Sequence, residues 1–417
     1  MDITKVSQMT SRADLSTGVP DFHAAFGGNR GYGITPESLQ NSRSQRKNRT
    51  FDAIVDADGN ADFNTIEDAV DYVQLIGGGD IFVWGGTYAP SRGMTITYPV
   101  NIIGQNVALT TINFGSSTKN FTVNSGTAYA TGTISSIAGD KVTVTGSGTS
   151  WLANASAGQY IFLGTRWYLI AAVTGNTTLI LAEAYLDDIA LSAYRIATLT
   201  RGISFESMTI TGSTGTAIAV TDARDVTLRD VLFLSNNKGF VFTNVSQPNI
   251  NTSVCAGSTS NGFEMTNVGL GFVSGLASSG NGGHGGVLNN VKVVNFASSA
   301  SEANTTDGLN LTDCDTVKLD YIASSNGGQG IELVSGNREI DMYVHASNNA
   351  SDGVKLTATA DFCKIIGGHY DTNGGYAINI ANANCDKNVV VGNSYNSNSS
   401  GTLSDSGTDT VNTGNTT

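Results

Sequence analysis

Three carboxylates and one histidine recur at regular intervals in the second half of this 417-residue chain. His284, Asp307 and Asp352 each precede a glycine of a repeated motif, and Glu332 lies two residues after another such glycine. A pair of carboxyl groups can hydrolyse a glycosidic bond, because one protonates the leaving oxygen while the other activates water. His284 beside Asp307 could instead act as the base in β-elimination on a uronic acid. These residue types therefore indicate polysaccharide cleavage, by either route.

Four further polar residues occupy related positions and are predicted to bind substrate: Glu264, Asn310, Gln329 and Lys355. Together with the four residues above, they are called the polar row. They alternate with apolar residues, so they should point outward from strands. The alternative is that the acidic side chains only keep the surface soluble. We expect no metal and no cofactor, because the acidic residues are dispersed rather than clustered at ligand spacing.

Cationic residues are scarce around the polar row. Arg338 is the only arginine after Arg229, and a lyase acting on uronic acids needs cations to neutralise the substrate carboxylate. Lys318, Lys355 and Lys364 remain available for that purpose. The composition therefore favours a glycoside hydrolase over a lyase.

The polar row belongs to a repeat in which a glycine precedes alternating apolar residues. The repeat recurs every 22 or 23 residues, and no helix pattern separates its short apolar runs. Such a period predicts a parallel β-solenoid of short strands and turns. Equivalent residues would lie about 4.8 Å apart, so Asp307 and Asp352, two coils apart, would be separated by about 10 Å at Cα. Inverting glycosidases hold their carboxyl groups about 6.5–9.5 Å apart. The repeats begin at Ala217, Gly239, Gly262, Gly285, Gly308, Gly330, Gly353 and Gly375.

Two further features of the repeat predict how its coils stack. The repeat glycines are expected at turns that require positive φ. Four residues before the glycine, an asparagine recurs in successive repeats, and stacked amides of this kind can hydrogen-bond along a column. We interpret the series as a structural ladder rather than a binding site. Its members are Asn281, Asn304, Asn326 and Asn349, followed by Asp371.

The segment 51–125 begins with one amphipathic helix and continues with short apolar strands. Ile66, Ala69, Val70 and Val73 form one apolar stripe, and Asn64 followed by Glu67 has the spacing of a capping box. The helix would cover the apolar end of the first coil. The run DFNTI, followed by IFVWGGTY, NIIGQN and TTINF, resembles the opening of the pectate-lyase and pectinesterase-like right-handed parallel β-helices. The resemblance covers 51–125 and 200–397 and implies the fold and its handedness, but not a single function.

Residues 126–199 interrupt the repeat with short alternating runs, which predict an inserted antiparallel β-module. Its text, including VTVTGSGTSW and RWYLIAAVTGNTTLILAEAY, resembles a small module of bacteriophage tail-fibre and tailspike proteins. Trp151 and Trp167 could stack on sugar rings and are named as candidate substrate-binding residues, although in so small a module such residues more often form the core. The resemblance to tailspikes implies a homotrimer.

The two ends of the chain differ from the repeat. Residues 1–50 are polar and finish with a basic cluster, Arg43, Arg46, Lys47 and Arg49. This arm could attach to other virion tail proteins, or it could be a solvated extension. Residues 398–417 are low in complexity. They are expected to form either a loose tail or a strand that orders only against neighbouring subunits.

Composition excludes several classes of protein. The net charge of −13 argues against a nucleic-acid partner. The chain shows neither an apolar run long enough to insert in a membrane nor an N-terminal signal, so we expect assembly in a host cytoplasm and release in a virion tail. The four cysteines are expected to be buried free thiols. The sequence thus predicts a tailspike-type β-helix that recognises cell-surface polysaccharide, and it leaves open whether the protein also cleaves that polysaccharide. The alternatives are a non-catalytic virion β-helix and a free polysaccharide lyase.

Overall fold

A computed structural model describes residues 51–126, 128–186 and 193–417. The chain winds into a parallel β-solenoid, as predicted. Each coil contributes backbone to three stacked faces, which are called A, B and C. Within a coil the chain passes from A to B to C, and the first described strand lies on face B. The predicted N-terminal arm, 1–50, lies outside the described residues.

Most strands are confined to a single face of the solenoid. The strands of face A are Met94–Ile96, Phe121–Asn124, Lys238–Ser246, Phe263–Gly269, Gly286–Lys292, Leu309–Thr312, Ile331–Ser335, Val354–Leu356, Tyr376–Ile380 and Gly401–Asp405. The strands of face B are Ala53–Val55, Gly79–Val83, Val100–Gly104, Asn249–Asn251, Phe272–Ser274, Lys364–Ile366, Val389–Val391 and Val411–Thr413. The strands of face C are Gly86–Tyr88, Thr110–Ser117, Val254–Ala256, Ala277–Ser279, His369–Asp371 and Ser394–Asn396.

Other strands bend around a corner and join two or more faces. Those that join faces B and C are Thr200–Ser213, Asn295–Glu302, Lys318–Ser324 and Asp341–Ser347, and Thr216–Leu234 continues through all three faces. A short pair, Asn337–Arg338 and Ala360–Asp361, lies between faces A and B.

The register of face A confirms the predicted repeat, except at its last interval. Phe240 pairs with Phe263 and Leu309 pairs with Ile331, as the repeat requires. Val354, however, pairs with Ile378. The residue equivalent to Gly353 is therefore Ala377, and the predicted continuation through Gly375 is wrong.

The repeat glycines are required by close packing between coils, and not by positive φ as predicted. A Cβ atom on Gly262 would lie 2.5 Å from the carbonyl oxygen of Gly285 and 2.1 Å from Oγ of Ser278. Gly308 and Gly330 show the same close approach to the carbonyl of the next coil. These backbones are thus held too close together for any side chain.

Positive φ occurs instead at the corners, mostly in residues other than glycine. At the corner between faces A and B, Leu270, Val293, Thr316 and Phe362 have φ between 54° and 58°. Each of them donates its backbone N–H to a carbonyl of the following coil at 3.0–3.1 Å. These hydrogen bonds keep a conformation that β-branched residues rarely adopt.

A column of buried asparagines runs through the solenoid, as predicted. Each Nδ2 donates to Oδ1 of the next asparagine at 2.8–2.9 Å. The predicted continuation at Asp371 is wrong, because the column passes through Asn373, two residues later. Its members are Asn281, Asn304, Asn326, Asn349, Asn373 and Asn398.

The N-terminal helix, Ile66–Leu75, buries its predicted apolar stripe. It begins one residue later than the predicted capping box, because the N-cap is Thr65, whose Oγ1 accepts from the backbone N–H of Asp68 at 3.3 Å. Glu67 does not reach back to the cap. Its carboxylate accepts instead from the backbone N–H and the hydroxyl of Ser91, at 2.8 and 2.9 Å.

The insert forms a separate antiparallel sheet, as predicted. A short helix, Trp151–Asn154, packs beside it. Where the insert leaves the solenoid, the backbone N–H of Thr200 donates to Oγ of Ser125 at 2.8 Å, so its two ends are neighbours. The strands, in their order across the sheet, are Arg195–Ala197, Tyr160–Leu163, Arg166–Gly175, Thr178–Leu181, Thr143–Ser147 and Thr133–Ile137.

The segment 398–417 is part of the solenoid and not a loose tail. Gly401–Asp405 pairs in parallel with Tyr376–Ile380, and Val411–Thr413 pairs with Val389–Val391. These strands form although the segment has few apolar residues, because pairing through the backbone needs few apolar side chains. In the described part of the chain, no helix is long and apolar enough to span a membrane.

Candidate functional site

The polar row lies along face A. The parallel register places Glu264, Asn310, Glu332 and Lys355 at equivalent positions, with Val287 interrupting the column between the first two. All four polar side chains are partly exposed, as their alternation with buried residues predicts. Face A therefore presents polar groups at this position on three consecutive coils, from Asn310 to Lys355, and again at Glu264 beyond the interruption.

His284 and Asp307 form a close pair across two coils. Nδ1 of His284 lies 3.2 Å from Oδ2 of Asp307, and the histidine side chain is 29% exposed. The backbone N–H of His284 donates to Oδ1 of Asn261 on the preceding coil at 2.8 Å. One imidazole nitrogen thus lies beside the Asp307 carboxylate.

Asp307 is buried, contrary to the prediction that it faces solvent: its residue exposure is 6%. Its Oδ1 accepts from the backbone N–H of Gln329 at 2.8 Å, and its Oδ2 accepts from Nδ2 of Asn310 at 3.2 Å. Burial raises the pKa of this carboxyl, but the hydrogen bonds from His284, Gln329 and Asn310 outweigh burial and leave the pKa below its ordinary value. Asp307 is therefore suited to a base or a charge stabiliser, and not to an acid.

Asp352 is also buried, with an exposure of 5%, although it was predicted to face solvent. Its Oδ1 accepts from the backbone N–H of Tyr376 at 2.7 Å, and its Oδ2 accepts from Nδ2 of Asn379 at 2.9 Å. Asn261, Asp307 and Asp352 thus make the same side-chain bond to the backbone of the next coil. This role argues against the predicted catalytic pair of Asp307 and Asp352.

Glu332 is the carboxylate that the structure brings to Asp307. Its Oε2 accepts from Nδ2 of Asn310 at 3.2 Å, the same nitrogen that donates to Asp307. The two bound oxygens are therefore at most twice that distance apart. This upper bound falls between the about 5–5.5 Å of retaining glycosidases and the about 6.5–9.5 Å of inverting ones, so the pair fits either geometry. Lys355 Nζ lies 3.8 Å from Oε1 of Glu332.

Glu264 lies at the N-terminal end of the row and pairs with residues that the sequence analysis did not select. Its Oε1 is 2.7 Å from Nζ of Lys238 and accepts from Nδ2 of Asn261 at 2.8 Å. Thr357 donates its hydroxyl to Oε1 of Glu332 at 2.6 Å. Lys238 and Asn261 could have been found, because they occupy the column that precedes the repeat glycines. No repeat signal pointed to Thr357.

The tryptophans predicted to bind sugar are buried, and the structure contradicts that role. Trp151 is 0% exposed, and its Nε1 donates to the hydroxyl of Tyr194 at 3.0 Å within the insert. Trp167 is 2% exposed and donates to the backbone oxygen of Asn244 at 2.7 Å. Neither ring offers a face to a ligand, because both are buried. Trp151 holds the insert together, and Trp167 joins the insert to the solenoid.

Among the described residues, no group of three or more His, Cys, Asp or Glu side chains could hold a metal ion. The carboxylates of the polar row are instead accompanied by amides and by two lysines, Lys355 within the row and Lys238 beside it. The chemistry available at this site is hydrogen bonding to hydroxyl groups, ion pairing and proton transfer through His284.

Comparison with known proteins shows which fold this is. The chain matches the A-module of mannuronan C-5 epimerase AlgE6 from Azotobacter vinelandii, with a TM-score of 0.56 and 15% identity over 84% of this chain and 94% of the other. It also matches the tailspike protein gp49 from Pseudomonas phage LKA1, with a TM-score of 0.51 and 14% identity over 84% and 74% of the two chains. This is the right-handed parallel β-helix. No family model and no curated protein matches the sequence.

Proposed function

We propose that the chain is a tailspike-type β-helix that recognises cell-surface polysaccharide along face A. The observation that carries the proposal is the polar row itself, in which His284, Asp307, Asn310, Glu332 and Lys355 are connected across consecutive coils. An extended series of fixed donors and acceptors suits a polymer with many hydroxyl groups. The fold is shared by a mannuronan epimerase module and a phage tailspike, which supports the same assignment.

Cleavage by glycoside hydrolysis belongs to this proposal. The imidazolium of His284 would donate its proton to the leaving glycosidic oxygen. Glu332 would take a proton from the water that attacks the anomeric carbon, or would itself attack that carbon to form a glycosyl ester. In the second case, the now neutral His284 takes a proton from water, which hydrolyses the ester and frees Glu332. Asp307 stabilises the charged imidazole in either case. The hydrogen-bonded, ionised state of Asp307 supports the last role.

A non-catalytic, receptor-binding role is the second candidate. It is favoured by the bonds from the carboxylates of Asp307 and Asp352 to the backbone of the next coil, since these bonds have a structural purpose without any catalysis. In either case, we propose assembly as a homotrimer and attachment to other virion tail proteins through residues 1–50.

The test is incubation with capsular, O-antigen and uronate polysaccharides, with assays for reducing ends, unsaturated uronate absorbance and binding. Hydrolysis is expected to release reducing ends without the absorbance, and Glu332→Gln should abolish this release while polymer binding remains. Asp409→Asn, an exposed carboxylate variant outside the row, is the matched control. Binding without products would leave the receptor-binding role, and no binding to any polymer would refute the proposal.

A further inference from the structure

A shallow groove on face B is separate from the polar row. The volume of the groove is about 440 Å³, which is within the about 300–1,000 Å³ typical of small-ligand sites. Buried Leu319 and Met342 lie at its floor. The residues around them come from four consecutive coils: Asn295, then Lys318 and Asp320, then Asp341 and Tyr343, then Lys364 and Ile366.

One aromatic ring lies exposed in this groove. Tyr343 is 48% exposed, and Ile366 on the next coil is 43% exposed. The ring passes close to Gly367, where a Cβ atom would lie only 3.4 Å from Cε2 of Tyr343, so the absence of a side chain there leaves room for the ring. An exposed aromatic face of this kind can pack against the C–H groups of a flat ligand.

Some charged side chains of the groove have a hydrogen-bond or ion-pair partner in the described part of the chain, and one does not. Nζ of Lys364 lies 3.1 Å from Oδ1 of Asp341, which forms an ion pair. Asp320 uses Oδ2 to accept from the backbone N–H of Ser298 at 3.0 Å. Lys318, by contrast, has no side-chain partner among the described residues. One ammonium group in the groove is therefore available to an anionic ligand.

We propose that this groove is a second carbohydrate site, which binds a sugar residue that carries an anionic group. Lys318 pairs with the anionic group, Tyr343 packs against the sugar ring, and the free oxygen of Asp320 accepts from a hydroxyl. Asp320 and Tyr343 are paired neighbours, and Lys318 is about 8 Å from Tyr343 at Cα by strand geometry. One sugar residue can therefore contact all three. The site shares only its class of ligand with the proposed function of face A.

The experiment is calorimetric titration of the full chain with a panel of acidic tetrasaccharides carrying uronate, sialate or sulfate groups, with maltotetraose as the neutral comparison. Lys318→Met is expected to weaken binding about tenfold, because a charge-assisted bond is lost. Tyr343→Ala should weaken it about fivefold. The matched controls are Lys387→Met and Tyr98→Ala, which remove an exposed lysine and an exposed tyrosine elsewhere and should leave the affinity unchanged.

Four results would overturn the proposal. Two concern the ligand: no binding of any acidic tetrasaccharide at millimolar concentration, or equal binding of maltotetraose. The other two are unchanged affinity in both groove variants and a second copy of the chain covering the groove. The last is tested by sedimentation and by acetylation of Lys318, which a covering copy would block. Comparison with Lys355→Met, which removes the lysine beside Glu332 on face A, separates the two sites. Loss of tetrasaccharide binding only in that variant would assign the ligand to face A and remove the groove.

Discussion

The carboxylate of Asp307 accepts a hydrogen bond from the backbone N–H of Gln329 on the next coil, at 2.8 Å. This bond joins two coils at the position where the sequence indicates catalysis. Together with His284, it lowers the pKa of Asp307 despite burial. The same carboxylate thus contributes to the stability of the solenoid and to the electrostatics of the polar row.

Asp307 should make stability depend on pH at the acid end. A carboxyl whose pKa is lower in the folded state stabilises the fold above its unfolded pKa of about 3.9, and this contribution is lost as the pH falls through the folded pKa. The difference in free energy of unfolding between the wild type and Asp307→Asn should therefore be largest near neutral pH and shrink below about pH 4. Urea denaturation from pH 7 to pH 3 measures this, and a difference that grows towards low pH would contradict it.

The buried asparagine column should be sensitive to single substitutions. Asn326→Ala removes the bonds that its Oδ1 accepts from the backbone N–H and Nδ2 of Asn304 and the bond that its Nδ2 donates to Oδ1 of Asn349. The loss of these buried bonds should cost about 3 kcal/mol in the free energy of unfolding. Asn396→Ala removes an exposed amide that donates to Asp371 and should cost less than about 1 kcal/mol. Urea denaturation compares the two variants. Equal losses would show that the column adds no stability beyond that of a surface bond.

The sequence predicted the solenoid well because stacking requires equivalent residue types at every coil. The interval fails between Gly353 and Ala377, which are 24 residues apart rather than 22 or 23, and a glycine at 375 mimics the motif. The strands at 401–405 and 411–413 were missed for a different reason. These strands are held by backbone hydrogen bonds to the preceding coil. The pattern of apolar and polar side chains, from which strands are predicted, does not reveal such bonds.

The polar row was predicted less completely than the fold. Alternation correctly placed Glu264, Asn310 and Glu332 outward on face A. It also suggested that Asp307 and Asp352 face solvent, but a residue beside a glycine lies at a turn, where its side chain can fold back onto the next backbone. The tryptophans were ambiguous in the sequence, and only the packing of the insert shows that both are buried.

The insert should be removable without loss of the solenoid. Its ends meet at Ser125 and Thr200, so deletion of 126–199 with a short linker should give a soluble, β-rich protein. The thermal midpoint should fall by roughly 5 °C, because buried Asp222 loses its partner Arg195 at 2.6 Å and the bond from Trp167 is lost. Adding Asp222→Asn should recover part of the fall. Circular dichroism and light scattering measure both, and aggregation would show that the insert completes the solenoid core.

The cysteines should be unreactive in the folded protein. All four are buried and free, and burial raises the pKa of Cys314 and of Cys363 to about 12. Alkylation by iodoacetamide at pH 8 should be at least about 1,000-fold slower than in urea, because it requires opening of the fold. Ser399→Cys, at an exposed position, should react at once. Mass spectrometry that finds rapid labelling of a native cysteine would contradict this prediction.

The corners with positive φ restrict which substitutions this chain can tolerate during evolution. Proline fixes φ near −65° and carries no N–H, so it fits neither a corner such as Val293 nor a strand position that donates to the next coil. The chain has five prolines, and none follows Pro248. A proline scan beyond that residue would therefore find few tolerated positions. In evolutionary terms, the stack can lengthen by copying whole coils, but it excludes one amino acid almost everywhere.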